Sequence, residues 1–244
     1  MTNPKSTLKL AIFVEGLTEQ VFVEKLVYAI AGHKNISIVK HRAYGGNRAI
    51  RDISTLEASG TSASSNFLVL IVNCGADNTV ASDIRESYEG LALNGYATII
   101  GIRDVYPISL AEIGKLRVGL NYRVKTNPIQ VHFVLGVMEV EAWFIAEHTH
   151  FQKINSKLTN THISLTVGFD PTSFDATSLP KPADTLNKIY KSVGLAYRKK
   201  THQIERTVEA LDYARIYVDL RTITDLSNLV DKIDGFLQTT PAQP

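Results

Sequence analysis

Two glutamates, Glu15 and Glu19, stand four residues apart in FVEGLTEQVF, with Gly16 beside the first and Thr18 beside the second. Carboxylates are hard oxygen donors. Mg²⁺ and Mn²⁺ are commonly held by one or two of them together with a substrate phosphate. Gly16 would let the backbone turn sharply and approach a phosphate. A second reading stands beside this one, in which Glu19 favours a helix N-terminus next to Thr18 and Glu15 is merely solvated. More acids follow in comparable places. Asp77 comes after FLVLIVN, Asp104 comes after ATIIGI, and Glu139 and Glu141 lie two apart in VMEVEAWFIAEH. In a strand that last pair would share a face. Carboxylates converging on a phosphate repel it unless a cation is present, so Mg²⁺ or Mn²⁺ is the implied cofactor.

Basic residues offer the complementary chemistry. Arg42, Arg48 and Arg51 surround Gly45-Gly46-Asn47. That loop could hold a phosphate through backbone N–H groups and guanidinium forks, or it is plain turn chemistry. The densest basic run is RKKTH, where Arg198, Lys199 and Lys200 either form a solvated face or contact a nucleic-acid backbone. His148 and His150 near Glu147 invite a zinc reading, but the two histidines are two apart and lack the three- or four-residue spacing of helical ligand pairs. Trp143 reads as a core anchor and Cys74 as a buried, inert thiol. No GxxxxGK[ST] loop occurs, so an ATPase acting with this chain would be a separate protein.

The elements that must position these groups alternate. LKLAIFV, ISIVKHRAY, FLVLIVN, ATIIGI and the start of VHFVLGVMEVEAWFIAEH read as strands. TEQVFVEKLVYAIAG, VASDIRESYEGLALNG and LAEIGKLRVGL read as helices, and GGNRAIRDISTLEASG as a glycine-led turn and a short helix. Strand–helix–strand repetition predicts an α/β fold, a Rossmann-like, mainly parallel sheet with helices on both faces. Ligands on such sheets bind beyond the carboxyl ends of the strands, where Glu15, Asp77 and Asp104 fall. The predicted organisation is an α/β domain at 5–150, a loop or linker at 151–182 rich in Asn, Thr, Ser, Asp and Pro, and a small α-helical C-terminal unit at 183–238.

Composition sets the bounds. With 44% apolar and 20% charged residues in 244, a sizeable core is available, and a net charge of +2 gives no global field toward or against nucleic acid. One cysteine excludes an internal disulfide framework and fits a reducing cytoplasm. No segment approaches the roughly 20 apolar residues that span a bilayer.

VEGLTE, following an apolar strand and preceding a helix, resembles the opening motif of the TOPRIM fold, shared by topoisomerases, primases and OLD-family nucleases. In the nuclease branch an EGxTE pattern supplies metal-ligand glutamates, and the resemblance places that role on Glu15 and Glu19. The family's second motif is Asp-x-Asp; IIGIRDVYP supplies Asp104, with Ile102 where the first aspartate would stand. VEGLTE, IIGIRD and MEVEAWFIAE together resemble a bacterial TOPRIM-like branch often encoded beside AAA- or ABC-type ATPases in defence islands. Its EAW element and late Tyr-x-Lys region are similar to Glu141-Ala142-Trp143 and to YRKKTH.

What the resemblance implies is a metal-dependent nuclease cleaving DNA or RNA phosphodiesters, the effector of an antiphage system with an ATPase partner. Glu15, Glu19 and Asp104 would form the principal site, and Glu141, with Glu139 or Asp77, would support a second metal or orient water. Ile102 leaves open a TOPRIM-like binding or regulatory module without competent metal chemistry. A phosphotransfer enzyme acting on a small nucleotide is the other alternative. A homodimer is the default assembly.

Overall fold

Leu8–Val14 forms β1 and Phe67–Asn73 forms β4, two runs apolar but for Lys9 and Asn73, whose residues are buried from Leu10 and Val69 onward. Strands of that composition suit the interior of a parallel sheet, covered on both faces. In the computed structural model, which describes residues 7–46, 49–59, 65–76 and 78–239, they pair in parallel from Leu8↔Phe67 to Val14↔Asn73. Between them come α1 (Leu17–Ala31), β2 (Ile36–Gly46) and β3 (Ala49–Ser59). After β4 follow α2 (Val80–Leu93), β5 (Thr98–Asp104), α3 (Ile113–Asn121) and β6 (Gln130–Gly136). The remainder is helical: α4 (Glu141–Ala146), α5 (His150–Ile154), α6 (Asn160–Val167), α7 (Pro182–Lys191), α8 (Thr201–Ala210), α9 (Tyr213–Val218) and α10 (Thr224–Gln238).

The strand order is β3-β2-β4-β1-β5-β6. β1 is parallel to β4 and β5, β2 is parallel to β4, and β3 alone among the described pairs runs antiparallel to its neighbour β2. The chain is therefore an α/β protein with a mostly parallel, Rossmann-like six-stranded sheet.

By its contacts the chain divides into two units. One comprises Met1–Arg103, Lys115–Val134 and Val230–Pro244; the other comprises Asp104–Gly114 and Leu135–Leu229. In the first, Ala11 and Phe13 of β1 join Leu70 and Val72 of β4 in a cluster with Val80, Ile84, Tyr88 and Leu91 of α2. The alternate residues Leu10, Ile12 and Val14 are equally buried on the opposite face. α1 packs against β4, and none of its buried residues joins the α2 cluster. Gly101 of β5 has no room for a side chain, since a Cβ there would meet Phe133 at 2.7 Å and Ile84 at 2.8 Å. The second unit has its own core, with Trp143, Phe144, Phe151, Leu186, Tyr190, Ile204 and Val208 all at most 1% exposed.

Two elements differ from the sequence expectation. The segment after Gly45-Gly46 is a strand, β3, not a short helix. Gly45 takes a φ of 84°, a left-handed value suited to a hairpin connection. Ile53 and Thr55 are β-branched, and pairing with β2 gives the backbone its partners. The span 151–182 was expected to be a loop, yet it holds α5 to Ile154, α6 and a 3-10 turn at Ala176–Ser178. Its Thr, Asn and Asp residues make caps: Thr159 accepts from His162 N–H, and Asp175 accepts from Thr177 N–H. Residues that weaken helix interiors start short helices well.

Candidate metal centre

Asp104 is the last residue of β5 and is 6% exposed. One of its oxygens, Oδ1, accepts the Val140 N–H at 3.0 Å. The close fit depends on Gly136, where β6 ends, because a Cβ there would collide with the same oxygen. Past the strand the chain is laced back to the segment after Asp104. Val105 N–H donates to Gly136 O at 2.9 Å, and Tyr106 N–H to Met138 O at 2.8 Å. Met138 has a φ of 60°, unusual for a residue with a side chain. This turn carries Glu139 and then Glu141, the first residue of α4. Neither glutamate lies in a strand, so a turn and a helix start, not a shared strand face, bring the two together.

Glu139 accepts the Ala183 N–H of α7 through Oε2 at 2.9 Å. Its Oε1 lies 3.1 Å from Lys199 Nζ. Glu141 is wholly buried. Its Oε1 accepts the Tyr197 hydroxyl at 2.9 Å and lies 3.2 Å from Lys199 Nζ. Its Oε2 is buried with no hydrogen-bond partner. Asp104, Glu139 and Glu141 each present an oxygen, all within 4.8 Å of one another.

Burial pushes the Glu141 carboxyl above its ordinary value. The Lys199 charge opposes this, Glu139 adds to it, and the Tyr197 hydroxyl opposes it again. An unmatched buried acceptor is costly, and a cation among these oxygens would satisfy it. The donor set is all carboxylate, which suits Mg²⁺ or Mn²⁺ rather than a softer ion. The residues present fit such an ion.

The other predicted acids belong to the first unit. Glu15 follows β1, is 6% exposed, and has Arg103 Nε 3.7 Å from its Oε1. Glu19 is 4% exposed and its Oε2 accepts the Gly16 N–H at 2.9 Å. One Glu19 oxygen thus caps the start of α1 through the Gly16 N–H, while Glu15 is buried and not solvated as the second reading of the sequence has it. Asp77 and Arg48 lie outside the described residues, as does the side chain of Arg51. Arg42 of β2 lies over the Tyr44 ring, 5.1 Å from its centroid. Ile102 is fully buried in β5, in register with Val14.

The basic run divides. Arg198, Lys199 and Lys200 are all exposed, and of the three Lys199 reaches the two glutamates. Tyr197, 56 residues beyond Glu141, is the site member that spacing alone did not single out. The Glu147–His150 pair has a structural role. Glu147 Oε2 accepts the Asp212 N–H at 3.1 Å, and fully buried His150 meets Tyr190 Oη at 3.2 Å. No protein-family model matches this chain, and no curated protein matches it either.

Proposed function

We propose that this chain is a metal-dependent phosphodiester hydrolase acting on DNA or RNA. The observation that carries the reading is the carboxylate trio of Asp104, Glu139 and Glu141, with a buried Glu141 oxygen left unmatched. These three would hold Mg²⁺ or Mn²⁺, which would supply Lewis acidity toward the phosphodiester. The chain's own groups keep the acids in place. Val140 N–H orients Asp104, Ala183 N–H orients Glu139, and Tyr197 orients Glu141. Burial around Glu141 excludes water and strengthens every charge interaction there. By the TOPRIM resemblance, Glu15 and Glu19 of the first unit are metal ligands in their own right, exposed Arg198 and Lys200 contact the nucleic-acid backbone, and the protein is a cytoplasmic defence effector with a separate ATPase partner.

The test is incubation with supercoiled plasmid, single-stranded DNA and tRNA in Mn²⁺ and in EDTA, for wild type and Glu141→Gln. Cleavage that needs Mn²⁺ and is lost in the variant supports the reading; cleavage unaffected by the variant overturns it. A second reading has a specific observation behind it. Ile102 packs as a core residue where the TOPRIM pattern has a carboxylate, which favours a binding module. That module would bind Mn²⁺ and nucleic acid without cutting.

A further inference from the structure

We infer that Lys199 supplies the second positive charge of this acidic centre, so that the centre takes one divalent cation and not two. The inference rests on the metal-dependent reading above and specifies its stoichiometry. Lys199 Nζ stands 3.1 Å from Glu139 Oε1 and 3.2 Å from Glu141 Oε1, bridging two carboxylates as a shared cation does. The segment that delivers it is fixed on both sides. Tyr197 is buried, its N–H donates to Asn187 Oδ1 at 3.0 Å, and its hydroxyl donates to Glu141. Arg198 N–H donates to Gln203 Oε1 at 2.5 Å, and Lys200 stands at the N-cap position of α8, its carbonyl accepting the Gln203 N–H at 2.8 Å. Lys199 itself has a φ of 52°, a conformation that residues with side chains adopt mainly when their surroundings impose it.

Charge then sets the number of ions. Metal ligands bind in their ionised form. Three carboxylates and one ammonium leave a charge of −2, which a single divalent cation neutralises. A second divalent cation with Lys199 in place would leave an uncompensated +2 beside a fully buried residue, an unfavourable arrangement. The contacts divide the same way. Lys199 and Tyr197 occupy Glu141 Oε1, while Oε2 has no hydrogen-bond partner and is left for the ion. Where a two-metal site puts ions roughly 4 Å apart on either side of a phosphate, this centre has an ion and an ammonium.

The measurement is the number of Mn²⁺ ions bound at saturation, read from the loss of the free-ion EPR signal on the full chain. Ions of this centre are those that Glu141→Gln removes, which separates them from any held by Glu15 and Glu19. Glu141→Gln should remove one ion from wild type and one from Lys199→Arg, but two from Lys199→Met or Lys199→Gln. Two neutral variants guard against one failing to fold, and circular dichroism checks each. Removal of two ions from wild type overturns the role of Lys199 and leaves the metal reading standing. Removal of only one from a folded neutral variant overturns it equally. If neither wild type nor the neutral variants bind Mn²⁺, the metal reading itself fails and the lysine inference with it.

Discussion

A fully buried carboxylate with one unmatched oxygen is unfavourable in a folded protein, and Glu141 carries that cost beside two other acids. Its surviving contacts are specific. Tyr197 donates to Oε1 and Lys199 shares that oxygen, so the tyrosine hydroxyl fixes which way the carboxylate presents itself. Tyr197→Phe should lower Mn²⁺ affinity roughly 10–100-fold, as loss of an outer hydrogen bond to a ligand does. Its thermal midpoint should move little beyond the loss of one buried hydrogen bond. Equal Mn²⁺ affinity in the two proteins, by titration calorimetry, would sink the orienting role. Gly136 is the other decisive residue, because a Cβ there collides with Asp104 Oδ1. Gly136→Ala should displace Asp104, weaken Mn²⁺ binding, and cost about 1–3 kcal/mol in urea unfolding, the range for overpacking. A variant as stable as wild type that binds Mn²⁺ normally would show that the contact relaxes freely.

At the level of elements, α1 tests two roles placed on one residue. Glu19 Oε2 accepts Gly16 N–H, and Glu19 sits at the third helical position, where glutamate or glutamine completes a capping box. Glu19→Ala should therefore destabilise by about 1 kcal/mol, whereas Glu19→Gln should stay close to wild type. If Glu19 is also a ligand, Glu19→Gln lowers Mn²⁺ affinity at unchanged stability. Identical affinity would leave capping as its whole role. The same residue shows what sequence discloses. Carboxylates after apolar runs mark strand ends, so Glu15 and Asp104 were legible as candidates, Glu141 was legible through its pairing with Glu139 and the EAW resemblance, and β1, β4 and β5 were legible from their mostly apolar stretches. β3 was not, because its alternation is poor and its strand character comes from pairing with β2. Nor was the contact of Lys199 with Glu139, which closes over 60 residues of chain. A basic run read along the sequence looks uniform; the left-handed backbone at Lys199 is what separates it from Arg198 and Lys200.

For the molecule as a whole, the sequence suggested consecutive domains, while the compact units interleave along the chain and the second gathers 104–114 with 135–229. That second unit holds both the acidic trio and a buried polar network whose protonation sets its response to acid. Burial favours the neutral form of Glu147, but hydrogen bonds from His150 and Thr149, the His150 charge and the Asp212 N–H outweigh it. The carboxyl is held below its ordinary value. Burial and then the Arg215 charge lower His148, against weaker pulls from Glu147 and Asp170. For each group the unfolded chain binds its proton at a higher pH than the folded protein does, so stability falls as pH falls. The loss from His148 should begin as pH drops through about 6.5, and that from Glu147 through about 4.3, their unperturbed values. Thermal unfolding followed from pH 7.5 to pH 3.5 should show the midpoint declining in two stages. His148→Asn should remove the upper stage, and Glu147→Gln should flatten the lower one. Midpoints that decline identically in wild type and Glu147→Gln below pH 5 would assign the acid sensitivity to other carboxylates. The Glu147 network would then hold α4 and α9 together without coupling them to pH.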